Sequence, residues 1–410
     1  MHGGAAGARA DALVVAALTA AVETSFPELR RTVRKTLVLV CTALVAVMAG
    51  ARSGAGRLSL AALYRGLPLR TRPHSRENRL RRFLDNPRLE GRAVSTGLGR
   101  LLGRRPSRGF CPVLVDQTTV GDVQLLIAAV PCEGRAVPLA LYTFTYPWTE
   151  RIASQNRLEE IFLGDVAQSL PPGLVPVFVG DRGYSRAALL ASSLREGRWV
   201  VLRGRAGTIV EWRGRRRKLG ELPAPADHPV RYPEVRYHAH RRVPLDVIAV
   251  HDRAFAEPWY LLVPPWTRAH WTPAEVVAVY RQRMQIEQSF RDFKTHLGIR
   301  GLHLKVRVAE RLGRLLLAFC LAYALLVFLG LTTAGQSARA DLEVLRRQPR
   351  HGTRRTLSAL SIAMLMLTHA RHAQRALRAL AALLRGWTQG RTPAAFQGRG
   401  LPRALGPPAN

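Results

Sequence analysis

The sequence predicts an α/β protein, with helices packed on a mixed sheet and helical regions at both ends. Three observations predict it. Strand-like apolar runs and helical periodicity alternate after Pro106 in the order three strands, helix, strand, helix, strand. Between about Gly204 and Glu257 helical periodicity disappears and short strand-like pieces are separated by Pro- and Gly-rich turns. Before Pro106 and beyond about residue 300 the apolar spacing is three and four, as in helices.

In chain order, Leu13 to about Arg105 reads as helical, with Ser75 as the expected N-cap of a basic helix, SRENRLRRFLDNP. Its arginines Arg79, Arg81 and Arg82 suit either a solvated face or a DNA contact. CPVLVDQTTV is a strand, and DVQLLIAAVP and RAVPLALYTFTY form a hairpin across Cys132-Glu133-Gly134-Arg135. Ser154 to Leu170 is a helix, and LVPVFVGDRGYS is a buried strand ending at Gly180-Asp181. A helix capped by Ser185 and the strand RWVVLRGR follow. The section 204–257 reads as a β-rich insertion whose basic face carries Arg215-Arg216-Arg217-Lys218, and PWYLLV returns to the core. Thr272-Pro273-Ala274-Glu275 is a capping box with Pro at the first helical position, opening one helix to about His296. The expected division is 1–106, a helical N-terminal DNA-binding region; 107–203 and 258–300, two parts of one core; 204–257, the insertion; and 301–410, a helical C-terminal region with a basic tail. LRALAALLRGW reads as a basic amphipathic helix, and the Gly/Pro-rich end as disordered.

The composition narrows the partners. Among 410 residues, 62 Lys+Arg face 28 Asp+Glu, a formal charge of +34 that points to a polyanion. Only Lys35, Lys218, Lys294 and Lys305 are lysines. Cys41, Cys111, Cys132 and Cys320 are far apart, which argues against a zinc site or a disulfide framework and fits a reducing cytoplasm. Ala12 to Ala21 is apolar but lies between Asp11 and Glu23, a poor signal peptide. Leu315 to Thr333 has no charge and is long enough to span a bilayer. No second run of that length is expected, Thr36 to Gly50 being shorter, so the favoured reading is a helix buried in protein.

The chemistry rests on carboxylates. Asp116 follows Val113-Leu114-Val115 and Asp181 follows Val177-Phe178-Val179-Gly180, so each stands at the end of an apolar strand. At 100° per residue, Tyr280, Arg283, Glu287 and Lys294 fall within a sector of about 60°, beside an apolar stripe of Ile286, Phe290, Phe293 and Leu297. Such mixed charges also occur as plain ion-pair strips. Three converging carboxylates raise one another's pKa unless a cation sits among them, and hard divalent ions with oxygen ligands remove that cost.

At these residues the chain resembles bacterial insertion-sequence DDE transposases. Tyr280-x2-Arg283-x3-Glu287-x6-Lys294 matches their Y-x2-R-x3-E-x6-K signature at its four fixed positions. D-Q-T at Asp116, G-D-R-G at Asp181 and the β-rich insertion before Glu287 agree with it, over about residues 75 to 330. The resemblance implies a ribonuclease H-like fold in which Asp116, Asp181 and Glu287 form the catalytic, metal-binding triad. It implies two Mg²⁺ ions, with Mn²⁺ able to substitute, and no small-molecule cofactor. Tyr280, Arg283 and Lys294 would hold DNA phosphates near the cleaved end, and Arg182 occupies the place of the Arg after the second Asp. Trp259 is similar in position to an aromatic that stacks on a displaced base.

The expected protein is thus a cytoplasmic, nucleoid-associated transposase, not a membrane protein. It would bind the terminal inverted repeats of its element and target DNA, cut the strands, join their ends and act as a homodimer. The N-terminal helices would read the repeats and the C-terminal region would make the dimer contact. The alternatives are a catalytically inactive DNA-binding relative, a plain ribonuclease H-like nuclease, and a membrane protein built on Leu315 to Thr333.

Overall fold

The structure, a computed structural model, describes residues 3–52, 58–89, 97–100, 109–146, 154–299, 308–345, 347–348 and 357–391. The expected disordered end lies outside the described residues. Helices come first: α1 (Gly3–Ser25), α2 (Arg31–Arg52), α3 (Leu60–Gly66) and α4 (Pro73–Leu84), with the described residues 97–100 also helical. The basic helix starts earlier than expected: Arg72 is its N-cap, Pro73 takes the first position and Ser75 lies inside the first turn. Proline has no N–H to leave unsatisfied there, so it displaces the serine as the starting signal.

The sheet has ten strands in the order β3-β2-β1-β4-β5-β10-β9-β8-β6-β7. β1 (Gly109–Val120), β2 (Val123–Cys132) and β3 (Arg135–Phe144) form an antiparallel meander. The β2–β3 turn is the expected one: Cys132 pairs with Arg135 across Glu133 and Gly134, whose φ angles are +46° and +82°. Positive φ at both central residues matches the right-handed twist of a two-residue hairpin, and Gly134 adopts it without a Cβ clash. β4 (Leu174–Gly180) and β5 (Trp199–Arg203) then add in parallel beside β1. α5 (Gln155–Ser169) precedes β4, and α6 (Ala187–Arg195) links β4 to β5. This 3-2-1-4-5 order, antiparallel then parallel, is the ribonuclease H-like arrangement.

Ser154 caps α5 as expected, accepting from the Arg157 N–H at 3.3 Å. Ser185 does not cap α6: its hydroxyl donates to the Arg182 carbonyl at 2.9 Å, closing the preceding 3₁₀ turn, and Arg186 is the N-cap.

The strands β6 (Ile209–Trp212), β7 (Arg215–Lys218), β8 (Val230–Tyr237) and β9 (Val243–Val250) join the same sheet, and β10 (Trp259–Val263) connects them to β5. The basic run is β7, the outermost strand, where Arg215, Arg216 and Lys218 are exposed. Charges at an open edge discourage pairing with another chain.

After the capping box at Thr272, whose hydroxyl and Glu275 carboxylate satisfy each other's backbone N–H groups, the expected single helix is three segments. α7 (Pro273–Arg281) ends at Gln282, α8 (Met284–Arg291) follows, and Asp292–His296 is a π turn. The break is made by three-residue hydrogen bonds, Arg283 N–H to Tyr280 and Ile286 N–H to Arg283. A constant 100° step therefore does not hold from Tyr280 to Lys294.

Helices cover both sheet faces. Tyr142 of β3 packs its ring on Phe162 of α5, while its neighbour Thr143 donates to the Ala309 carbonyl of α9 (Ala309–Leu331). Successive strand residues point to opposite faces, so α5 and α9 lie on opposite sides. α9 contacts β3, α2 and α11 (Ala359–Thr368), and 94% of its most apolar window is buried. A helix apolar all round requires such all-round cover. Gly330 permits the close α11 crossing, since a Cβ there would meet the Ala359 carbonyl oxygen at 1.9 Å. α10 (Thr333–Leu342) lies between α9 and α11, and α12 (Ala373–Thr388) packs on α1. The first and last described helices thus share one layer. The expectation of a single membrane-length helix is corrected: Arg31–Gly50 in α2 also passes by length and composition. Its helix starts at Arg31, which adds a turn to the apolar run that begins at Thr36.

Candidate active site

β1, β4 and β5 run parallel; Asp181 follows the last residue of β4 as expected, whereas Asp116 lies inside β1, which continues in pairing with β2 to Val120 rather than ending at the carboxylate. Leu114 pairs with Val179, so two residues further on Asp116 and Asp181 are level. Gly180 pairs with Leu202, which puts Arg203 next to Asp181 in the same register. Gln117 accepts a hydrogen bond from Gln155 of α5 at 3.1 Å, so Asp116, one residue away, projects to the opposite face, the one α8 covers.

Arg283 and Glu287 meet Asp116 on that face. The Arg283 guanidinium stands 3.5 Å from the Asp116 carboxylate and also pairs with Glu287, four residues on. Arg283 is 12% exposed and Asp116 17%, whereas Glu287 is 43% exposed. α8 is held by Gln285, which accepts from the Cys132 and Gly134 N–H groups, and by Ser289, whose hydroxyl donates to and accepts from Ala136 of β3.

Burial pushes the Asp116 carboxyl up to about 6, and the nearby charges of Asp181 and Glu287 add to it; the Gln117 N–H and Arg283 pull the other way. Burial costs the Arg283 guanidinium hydration, but Tyr280, Glu287 and Asp116 more than offset this and hold its pKa above the arginine value.

A raised carboxyl pKa has a definite sign. The Asp116 penalty is absent below 3.8, grows between 3.8 and about 6 and is complete above that. The interval corresponds to about 3 kcal/mol at most. Asp116→Asn is therefore expected to stabilise the fold by up to about 2 kcal/mol at pH 7.5 and by nothing at pH 4. Urea unfolding at both pH values checks this, and equal effects at the two would refute it.

Asp181 caps the 3₁₀ turn Arg182–Tyr184, accepting from the Gly183 N–H at 2.7 Å. The turn is locked from behind. Arg186 donates to the Gly183 carbonyl at 2.5 Å and to Asn156 at 2.6 Å, and it pairs with Glu159, a buried residue of α5. Burial raises the Glu159 pKa despite that arginine.

Arg182 pairs with Glu257, which also receives Arg203 at 3.3 Å, while Arg205 donates to the Arg182 carbonyl. Arginines thus rim the strand ends. Sequence reading missed Arg203, Glu159 and Arg186. The available signal was the apolar run ending in Arg203 and the i, i+4 pair Gln155 and Glu159, neither distinctive.

Other expected site residues are placed differently from a DNA-facing surface. Tyr280 is 4% exposed and its ring meets Trp259 at 5.0 Å. Burial, above all, raises its pKa. Trp259 is 2% exposed, with Phe255 at 4.7 Å on its other neighbour side. Trp259, on the strand between the insertion and α7, thus faces the core. Lys294 is half-buried in the π turn, off the continuous helix expected for it.

The donors suit a hard cation chemically: all are carboxylate oxygens, and the mutual repulsion felt by Asp116 is what a divalent ion relieves. Among the described residues, however, no three His, Cys, Asp or Glu side chains stand together as a metal-holding group. The Arg283 guanidinium supplies the counter-charge between Asp116 and Glu287 instead.

No curated protein matches the chain. Residues 152–325 match the family model described as Transposase DDE domain. The matched stretch runs from just before α5 into α9, contains Asp181 and Glu287, and begins after Asp116. Together with the ribonuclease H-like sheet, the match supports a DDE transposase family for this chain.

Proposed function

We propose that the protein is a DNA transposase that binds the terminal inverted repeats of its element, cleaves the strand ends and joins them to target DNA. The observation that carries the reading is the level placement of Asp116 and Asp181 on adjacent parallel strands, with Arg283 tying Asp116 to Glu287 on one face. Asp116, Asp181 and Glu287 would hold divalent ions, two Mg²⁺ with Mn²⁺ substituting. Bound there, such ions activate water or a 3′-hydroxyl and stabilise the leaving oxygen of an in-line phosphoryl displacement.

The protein's own groups do the rest. Arg182, Arg203 and Arg205 line the rim and neutralise backbone phosphates flanking the reacting one. Arg283 keeps Asp116 and Glu287 apart from uncompensated repulsion and turns to a phosphate when DNA enters. Lys294 serves the same strand further along, and the buried Tyr280–Trp259 pair sets the position of α7 behind Arg283. The described division of labour follows the sequence reading: 1–106 reads repeats, 107–203 and 258–300 carry the chemistry, 204–257 brings a basic edge, and 301–410 joins a second copy into a dimer. The working place is the cytoplasm, where DNA is reached directly.

The test uses a pre-cut duplex carrying an inverted repeat to be identified by sequencing the DNA that flanks the coding region, a supercoiled plasmid and Mg²⁺. Joined product is expected; nicking without joining would leave a plain nuclease.

A further inference from the structure

A groove of about 580 Å³ lies between the first turns of α2 and one face of α4. It is outside the stretch matched to the transposase family. Ser75, Asn78, Arg79 and Arg82 face it from α4 at helical spacing, and Lys35 faces it from α2. No acidic residue lines it. The two acids on and directly after α4 are already taken: Glu77 pairs with Arg81 at 2.8 Å and Asp85 with Arg311 at 2.9 Å. Lys35, Arg79 and Arg82 are exposed and have no ion-pair partner among the described residues. Uncompensated cations around a polar hollow raise the local concentration of anions.

We propose that this α2–α4 groove is a binding site for the phosphodiester backbone of duplex DNA, read by charge and not by base. The proposal rests on the DNA-acting function above and assigns one part of it to particular residues. Two observations select the ligand. The groove is much larger than one phosphate and open, and Arg79 and Arg82 are spaced along the helix by about 4.5 Å. Lys35, Arg79 and Arg82 bring three cations to one groove, so they can neutralise more than one phosphate of a closely charged strand at once. None of the exposed large apolar side chains among the described residues lines the groove, so it lacks the anchor a lipid surface would need.

The experiment compares the full chain with a triple variant, Lys35→Ala, Arg79→Ala and Arg82→Ala, using a short fluorescent duplex of arbitrary sequence at several salt concentrations. The slope of log affinity against log salt is expected to fall by about 2 to 3, and by about 1 in Arg79→Ala or Arg82→Ala alone. Arg79→Lys is expected to keep the slope. The three side chains are exposed, so circular dichroism melts should coincide; if the triple variant does not fold, the single variants carry the test. An unchanged slope overturns the groove assignment while intact strand joining leaves the transposase reading standing. Absent joining with a reduced slope does the reverse. Loss of binding to anionic vesicles, or of inorganic phosphate binding, with the DNA slope unchanged also overturns it.

Discussion

Glu287→Gln is expected to lower metal-dependent strand cleavage by about 10³-fold or more while leaving DNA affinity within about twofold. Losing one carboxylate donor removes several kcal/mol of charge stabilisation in the transition state, and about 4 kcal/mol corresponds to 10³-fold. Gln keeps the shape, and Glu287 is 43% exposed, so folding loses only part of a solvent-screened pair with Arg283. On the proposed function, binding rests on the rim arginines and the basic N-terminal helices, which the substitution does not touch. Cleavage assays in Mg²⁺ and Mn²⁺ with parallel anisotropy measurements read both quantities. Cleavage at the parent rate would remove Glu287 from the triad, and equal loss of binding and cleavage would make it a DNA contact.

Arg186→Ala is expected to destabilise the protein by about 3 kcal/mol near pH 7.5, because it strands the buried Glu159 carboxylate without its cation. The sign with pH follows from Glu159. Its carboxyl is already raised above 4.5 by burial, and losing Arg186 removes an influence that lowers it. The charged form then carries the penalty, which is complete above the folded-state pKa and shrinks as pH falls toward the unfolded value. Urea unfolding at pH 7.5 and pH 5 should therefore show a smaller effect at the lower pH. Cleavage should fall as well, since Arg186 holds the Gly183 carbonyl of the turn that presents Asp181. A deficit independent of pH would show that Arg186 acts by packing alone.

How much of this was legible depended on sequence distance. The β2–β3 hairpin was readable because Glu133-Gly134 must take positive φ within the turn itself. The start of α7 was readable because Thr272 and Glu275 satisfy each other across three residues. Asp181 was readable as a strand end because it follows its own apolar run; Asp116 was not, because β1 continues past it to Val120 by pairing with β2. Arg203 was not, since its place beside Asp181 depends on the parallel register of β4 and β5, which no local pattern records. Glu159 and Arg186 escaped for the same reason: their pairing requires α5 and α6 to pack together.

Helix geometry gave the reverse lesson. An unbroken period from Tyr280 to Lys294 looked sufficient, yet three-residue bonds at Arg283 and the π turn after Arg291 interrupt it. That Trp259 packs between Tyr280 and Phe255 was likewise not legible, since it depends on how β10 meets α7.

By itself the sequence determined that the chain builds an α/β sheet with helical flanks, that its charge calls for a polyanion, and that two carboxylates each follow an apolar strand-forming run. Those properties follow from local periodicity, turn chemistry and composition, which act over a few residues. Only the tertiary structure decided that Asp116, Asp181 and Arg203 stand level, that Arg283 sits between Asp116 and Glu287, and that the insertion continues the sheet. It also decided that α9 lies inside protein and that Lys35 meets Arg79 and Arg82 around one groove. Strand register and helix packing set these, and both are fixed by burial shared between segments far apart in the chain.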